Sequence, residues 1–216
     1  MSDEPAPDPE LEQGTVAAEL AAEFPELRCA SLAVDLPRGR RDPGIAERLA
    51  ALADRFRGRR AVELRRAPVP AAYRVFFRHI GLDPEVRRTP IEEAAIVRLV
   101  AGGHPQGTVL DDALLLALLE TGVPVTAFDA ARVDGPPGLR PTARGERLGD
   151  LPLPAGRIVL ADARRPLAEL FGALARDVAP GRATARLRLV AVQIPGVPAI
   201  HVEEALWTCQ EALTLA

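Results

Sequence analysis

The stretch "LLETGVPVTAFDAARVDG", residues 118–135, decides how the chain reads. An apolar helical run closes at Gly122, which suits the left-handed position after a helix, and Pro124 blocks continuation. "VPVTAFD" then reads as a short strand that stops at Asp129. A helix followed at once by a strand makes the chain mixed, and the texture on either side says how. Upstream lie helices; downstream lie mostly strands broken by Gly and Pro turns. That segregation predicts an α+β domain, with an N-terminal strand and helices packed on a mixed or antiparallel β core.

Working back from Gly122, "LDDALLLALLETG" is apolar nearly all round and reads as a buried helix. "TPIEEAAIVRLVAGG" carries its own start and stop signals. Thr89 can cap, Pro90 fits the first helical position, Glu92 can reach back, and Gly102 and Gly103 end the run. "PAAYRVFFRHIGLDP" is a helix halted at Gly81 and Pro84. "IAERLAALADRFRGRRAVELRR" places Ile45, Leu49, Leu52 and Phe56 on one stripe. "ELRCASLAVDL" predicts a strand near 27–36. "MSDEPAPDPELEQG" is acidic and Pro-rich, so residues 1–15 read as a disordered tail and 16–214 as one domain.

Working forward, "GLRPTAR", "GRIVLAD" and "TARLRLVAVQI" predict strands, "RPLAELFGALARDV" a short helix, and "AIHVEEALWTCQEALTL" a closing one. A chain of 216 residues with 48% hydrophobic content buries a sizeable core without staples. No apolar run approaches the ~18 residues of a membrane span, and the first residues do not resemble a signal peptide. The expectation is a cytoplasmic protein with no membrane contact.

Cys29 and Cys209 stand far apart with no metal spacing and read as buried thiols of a reducing compartment. His79 lies among Phe76 and Phe77, His104 in the loop "GGHPQG", and His201 at the start of the last helix. Three scattered His and two Cys make no ligand set, so no metal and no cofactor are expected.

All 27 basic residues are Arg, and the net charge is −3. Residues 1–35 hold nine acids and one Arg, residues 38–88 fourteen Arg and six acids. Arg48, Arg55, Arg59 and Arg66 fall along one helix edge if the helix runs through Gly58. Such a row suits a phosphate backbone. It equally suits a solvated face paired with the acidic start of the chain.

The order "VLDDALLLALLETGVPVTAFDAARVDGPPGLRPTARGERL" and then "GRIVLADARRPLAELFGA" resembles the B3/B4 tRNA-binding and editing domain of the phenylalanyl-tRNA synthetase beta subunit. The matching positions are Leu110-Asp111, Leu119-Glu120, Gly122, Pro124, Ala127-Phe128-Asp129, Gly145-Glu146, Leu148 and Ala161-Asp162. "YRVFFRHIGLDPEVRRTPIEEA" is similar to the lead-in of stand-alone members. The resemblance runs from about residue 20 to 210 and implies the fold of that editing domain. It also implies a tRNA or aminoacyl-tRNA partner, or an amino-acid-like ligand, and an ester hydrolase if catalysis is kept.

By this resemblance the ligand pocket would be lined by Pro124, Thr126, Phe128, Phe171, Gly172 and Val190, and Arg48, Arg55, Arg59 and Arg66 would contact RNA. The family's pocket His is here Thr126, a later-strand Glu falls at or near Val190, and Thr108 and Leu114 stand where Asn residues flank the Val-Asp pair. Catalytic candidates are Asp111, Thr126, His104 and Asp129. Each has a plainer reading: Asp111 as a first-turn helix acid, Asp129 as a turn residue bonded to backbone amides, Thr126 as a strand residue. Two functions follow as alternatives. One is a domain recognising aminoacyl-tRNA and hydrolysing mischarged product in trans. The other is a catalytically inactive module for a small molecule, a free amino acid or a protein.

Overall fold

Strand β2 (Arg28–Asp35) is built from "RCASLAVD", where five of eight positions are buried and both faces carry apolar or small side chains. Such a strand needs cover on both sides, and the chain supplies it from both ends. The structure, a computed structural model, describes residues 10–36, 43–53, 66–101 and 107–214. Among these, β2 pairs antiparallel along its whole length with β9 (Arg186–Gln193). β1 (Leu11–Gly14) lies outside β2, and β3 (Val125–Asp129) lies outside β9, giving the order β1-β2-β9-β3.

The helices are α1 (Ala18–Glu23), α2 (Pro43–Ala53), α3 (Pro68–His79), α4 (Pro90–Ala101), α5 (Val109–Thr121) and α6 (Ala199–Thr214). Buried Val202, Ala205, Leu206, Cys209, Ala212 and Leu213 recur at helical spacing along α6, which packs on α5 and on β2, β9 and β3. The Cys29 thiol donates to the Pro137 carbonyl at 3.2 Å, so the Cys29–Ser31 face of β2 looks toward the second sheet. The opposite face (Ala30, Leu32, Leu187, Leu189, Ala191, Val125 and Ala127) is buried and apolar from strand to strand, and suits the helices.

The second sheet is antiparallel, ordered β4 (Gly138–Pro141), β7 (Ile158–Ala161), β8 (Pro166–Glu169), and beside it lies a short hairpin of β5 (Arg147–Leu148) and β6 (Leu151–Pro152). The architecture is α+β with antiparallel sheets. No helix among the described residues is long and apolar enough to cross a membrane.

Several sequence expectations differ from this. Leu11–Gly14 forms the edge strand β1 rather than part of a tail, because the backbone groups of β2 on that side need partners. "RPLAELFGALARDV" is not a helix: its first residues form β8, and Phe171 turns into the left-handed region at φ 56°. Local apolar spacing suggested a helix, but Pro166 and Gly172 sit badly in one, and β7 offers an open ladder instead. Helix α1 and the β5–β6 hairpin are too short to leave a periodic signal. Of the 45–66 stripe, Ile45, Leu49 and Leu52 are buried; Phe56, with residues 54–65, lies outside the described residues.

Gly122 caps α5 at φ 77°, and a Cβ there would stand 2.9 Å from Val69 Cγ1. Gly122→Ala therefore meets two penalties, the left-handed backbone and the contact with α3. In denaturant unfolding it should cost about 1–2 kcal/mol. Leu116→Ala, at a fully buried α5 position, should cost about 2–5 kcal/mol.

Candidate functional site

Direct strand partners place their side chains on one face. The register Glu12–Ser31–Val190–Thr126 therefore makes one row across four strands. Phe128 stands two residues beyond Thr126 on the same face, opposite Arg188. Glu12 and Arg188 close the outer end of this face with an ion pair. Thr126, Phe128 and Val190 are thus brought onto one surface, Phe128 and Val190 buried and Thr126 half-buried.

Helix α3 links this surface to the Phe171-Gly172 turn. At one end Val69 approaches Gly122, just ahead of half-buried Pro124 and β3. One turn further on, Tyr73 meets Phe171 edge to face, with ring centroids 5.5 Å apart, and Phe77 stacks on Phe171 at 5.3 Å. Phe76 adds an edge contact at 6.3 Å. Such packing holds Phe171 at its positive φ, a conformation that costs of order 1–3 kcal/mol and persists only when surroundings enforce it. Arg87 adds a clamp, donating to the Phe171 carbonyl at 2.8 Å. Gly172 lies close under the side-chain ends of Arg87 and Glu169, and its φ is not left-handed. A Cβ would lie 2.6 Å from both Arg87 Nη2 and Glu169 Oε2.

Two hydroxyls in these elements are buried with no hydrogen-bond partner among the described residues: Ser31 Oγ in the strand row and Tyr73 Oη in α3. Burial pushes the Tyr73 phenol well above its ordinary value, so it stays a neutral donor. An unpaired buried hydroxyl costs about 1–3 kcal/mol, and such an atom in a native fold points to a function. Sequence reasoning passed over both residues. A signal existed for Tyr73, since three of the chain's eight aromatic residues fall within 73–77.

Two of the catalytic candidates, Asp111 and Asp129, bond to neighbouring backbone and hydroxyl groups. Asp111 forms a capping box with Thr108, its Oδ2 accepting from the Thr108 amide and hydroxyl at 2.8 Å each. Asp129 accepts from the Ala131 amide at 3.1 Å and from the Thr184 hydroxyl at 2.9 Å. His104 lies outside the described residues. His79 is exposed on α3 and stacks on Phe24, while half-buried His201 places Nδ1 3.5 Å from Glu204. No group of three metal-ligating side chains occurs among the described residues. Cys29 and Cys209 are free and buried, and burial pushes both thiols up to about 12, which leaves them protonated and inert.

Of the arginine row, Arg48 and Arg66 fall among the described residues. Arg48 binds both carboxylate oxygens of Glu120 at 3.0 Å and lies 3.8 Å from Glu211, tying α2 to α5 and α6. Arg66 is exposed, and Arg55 and Arg59 lie outside the described residues. Arg74 pairs with Glu85 and Glu92, and Arg88 with Glu93. Among the described residues, the acids that pair with Arg48, Arg74 and Arg88 lie between Glu85 and Glu211.

No protein family matches the chain, and no curated protein does.

In the second sheet Arg140 grips Glu146 through both guanidinium nitrogens, at 2.5 and 2.9 Å, and the Ala143 amide adds a bond at 2.9 Å. The Arg140 bond outweighs burial and holds the Glu146 carboxyl below its ordinary 4.5. A carboxyl with a lowered folded-state pKa contributes stability that is full above 4.5 and lost as pH falls through the folded value. Glu146→Gln should therefore cost about 1 kcal/mol at neutral pH. Unfolding curves at a series of pH values should show the gap between the two proteins closing below 4.5.

Proposed function

We propose that this protein is a recognition domain for the aminoacyl end of tRNA, of the kind its motif order resembles in the B3/B4 editing domain of phenylalanyl-tRNA synthetase. The observation that carries the ligand half of this reading is the pair of buried, unpartnered hydroxyls, Ser31 and Tyr73. Ser31 belongs to the Thr126–Val190 row, and Tyr73 packs on the clamped Phe171-Gly172 turn. A neutral polar group with an apolar or aromatic body suits these surroundings better than a charged one. The row offers hydroxyls and Val190, and the wall beyond is Phe171, Phe76 and Phe77. The tRNA half rests on the order and spacing of the motifs.

Hydrolysis is the less supported step. Ester cleavage needs a positioned water and donors for the oxyanion, and Asp111 and Asp129 already have other partners. That spending of carboxylates favours a second reading, a catalytically inactive module for a small molecule, a free amino acid or a protein.

The test is a panel of mischarged tRNAs assayed for binding and deacylation with wild type, Tyr73→Phe, Ser31→Ala and Asp111→Ala. Removing an unsatisfied hydroxyl should leave the ligand-free Tyr73→Phe protein as stable as wild type or about 1 kcal/mol more stable. The same change should weaken binding of the aminoacylated tRNA by about tenfold, the worth of one buried hydrogen bond. Asp111→Ala should lose stability through its cap but leave affinity unchanged. Equal affinity for charged and uncharged tRNA would sink the aminoacyl reading, and a ligand found only among free amino acids would install the second one.

A further inference from the structure

The turn that follows β8 departs from the common form by one residue. The Glu169 amide donates to the Ala173 carbonyl at 2.9 Å, and the Gly172 amide donates to the Glu169 carbonyl at 2.8 Å. Residues 170–172 are therefore a three-residue hairpin loop. Such loops most often make a type I turn and place their left-handed residue third, where this chain has Gly172. Here the second residue, Phe171, is the left-handed one at φ 56°, and Gly172 is not. A conformer with Phe171 right-handed and Gly172 left-handed keeps both backbone bonds and relieves the strain.

Three aromatic rings and one guanidinium hold the strained form. Tyr73, Phe76 and Phe77 of α3 all contact the Phe171 ring. Arg87 donates to the Phe171 carbonyl, while its Nη1 stands 3.9 Å from Glu169 Oε1, too far for a hydrogen bond. The Arg87 side chain is 37% exposed, so this clamp is one bond within reach of water. Tyr73, which Phe171 meets edge to face, is 1% exposed, and its hydroxyl has no partner among the described residues. Among those residues Phe171 is the one non-glycine with a positive φ. Backbone strain of this kind gathers at ligand clamps and switches, and here it falls on the residue packed against an unsatisfied hydroxyl.

We propose that the 170–172 loop is a gate over Tyr73. It is shut with Phe171 left-handed, and open when Gly172 takes that conformation and the Phe171 ring leaves α3. Opening presents the Tyr73 hydroxyl as a donor, so an uncharged group with an acceptor oxygen gains a bond that the shut form lacks. Such a ligand binds the open form and draws the population toward it. As an entrance for a ligand the gate rests on the reading above. As a motion of the free protein it is tested without any ligand, so either can fail alone.

Tyr73 is the single tyrosine of the chain, and nitration by tetranitromethane, followed by mass spectrometry, reports on this one ring. The native protein is labelled at a series of urea concentrations below its unfolding transition, beside N-acetyltyrosinamide as the fully exposed standard. A gate open about 0.1–10% of the time makes wild type react about 10- to 1,000-fold more slowly than the standard. Urea should barely change that rate, because a local opening exposes little surface. Arg87→Ala should raise it about tenfold or more, the worth of one hydrogen bond to a charged group. Leu116→Ala, which weakens the whole fold, should leave it unchanged, with circular dichroism confirming that each variant is folded. Labelling that climbs steeply with urea from the start, or that rises in Leu116→Ala in proportion to the lost stability, means that Tyr73 is reached by global unfolding and overturns the gate. A wild type that never reacts overturns it too, as does a folded Arg87→Ala protein that reacts like wild type. The wild-type urea series decides the matter even where Arg87→Ala fails to fold. Slow, urea-independent labelling in a protein that does not bind aminoacylated tRNA supports the gate and removes only the earlier reading.

Discussion

The antiparallel ladder between Arg28–Asp35 and Arg186–Gln193 is the constraint on which everything else depends. Each strand is the other's partner over eight residues, and each also carries an outer strand, β1 on one side and β3 on the other. One face of the ladder gives the helices an apolar floor. The opposite face carries the row that ends at Thr126 and the thiol bonded to Pro137. Shifting the ladder by one residue would send Leu32 and Leu189 to the wrong side and bring Ser31 and Val190 against the helices. Burial on both faces is therefore what specifies the register.

The same pairing explains what the sequence reveals and what it hides. Helices with their own caps and stripes are local objects, so α3, α4, α5 and α6 are legible, as is the handover at Gly122. The four strands with long alternating or apolar runs are legible for the same reason. Leu11–Gly14 is not, because nothing in "LEQG" favours a strand until β2 offers its open edge. Pro166–Glu169 misleads because its residues have fair helical spacing, and only the neighbouring β7 decides otherwise. Tertiary context overrides propensity most easily in short segments.

For the site, the residue types in the motifs were readable but their tasks were not. Asp111 reads equally as an acid for chemistry and as a capping residue until the Thr108 hydroxyl is seen bonded to it. Ser31 looks like any small strand residue until its hydroxyl is found buried without a partner. Net counts put the basic emphasis on residues 38–88, and within it Arg48, Arg74 and Arg88 pair with acids 72, 18 and 5 residues away. Net charge over a window says nothing about which side chains meet.

The central ladder also has a cost during synthesis. Residues 28–35 leave the ribosome some 150 residues before their partner at 186–193 exists. At roughly 5–20 residues per second that is about 8–30 s, during which an apolar strand has β1 on part of one edge and no partner on the other. A strand so exposed is a template for pairing with other chains. Yield of this protein in a cell is thus tied to translation speed and to whatever shelters the nascent N-terminal region, more than to the stability of the finished fold.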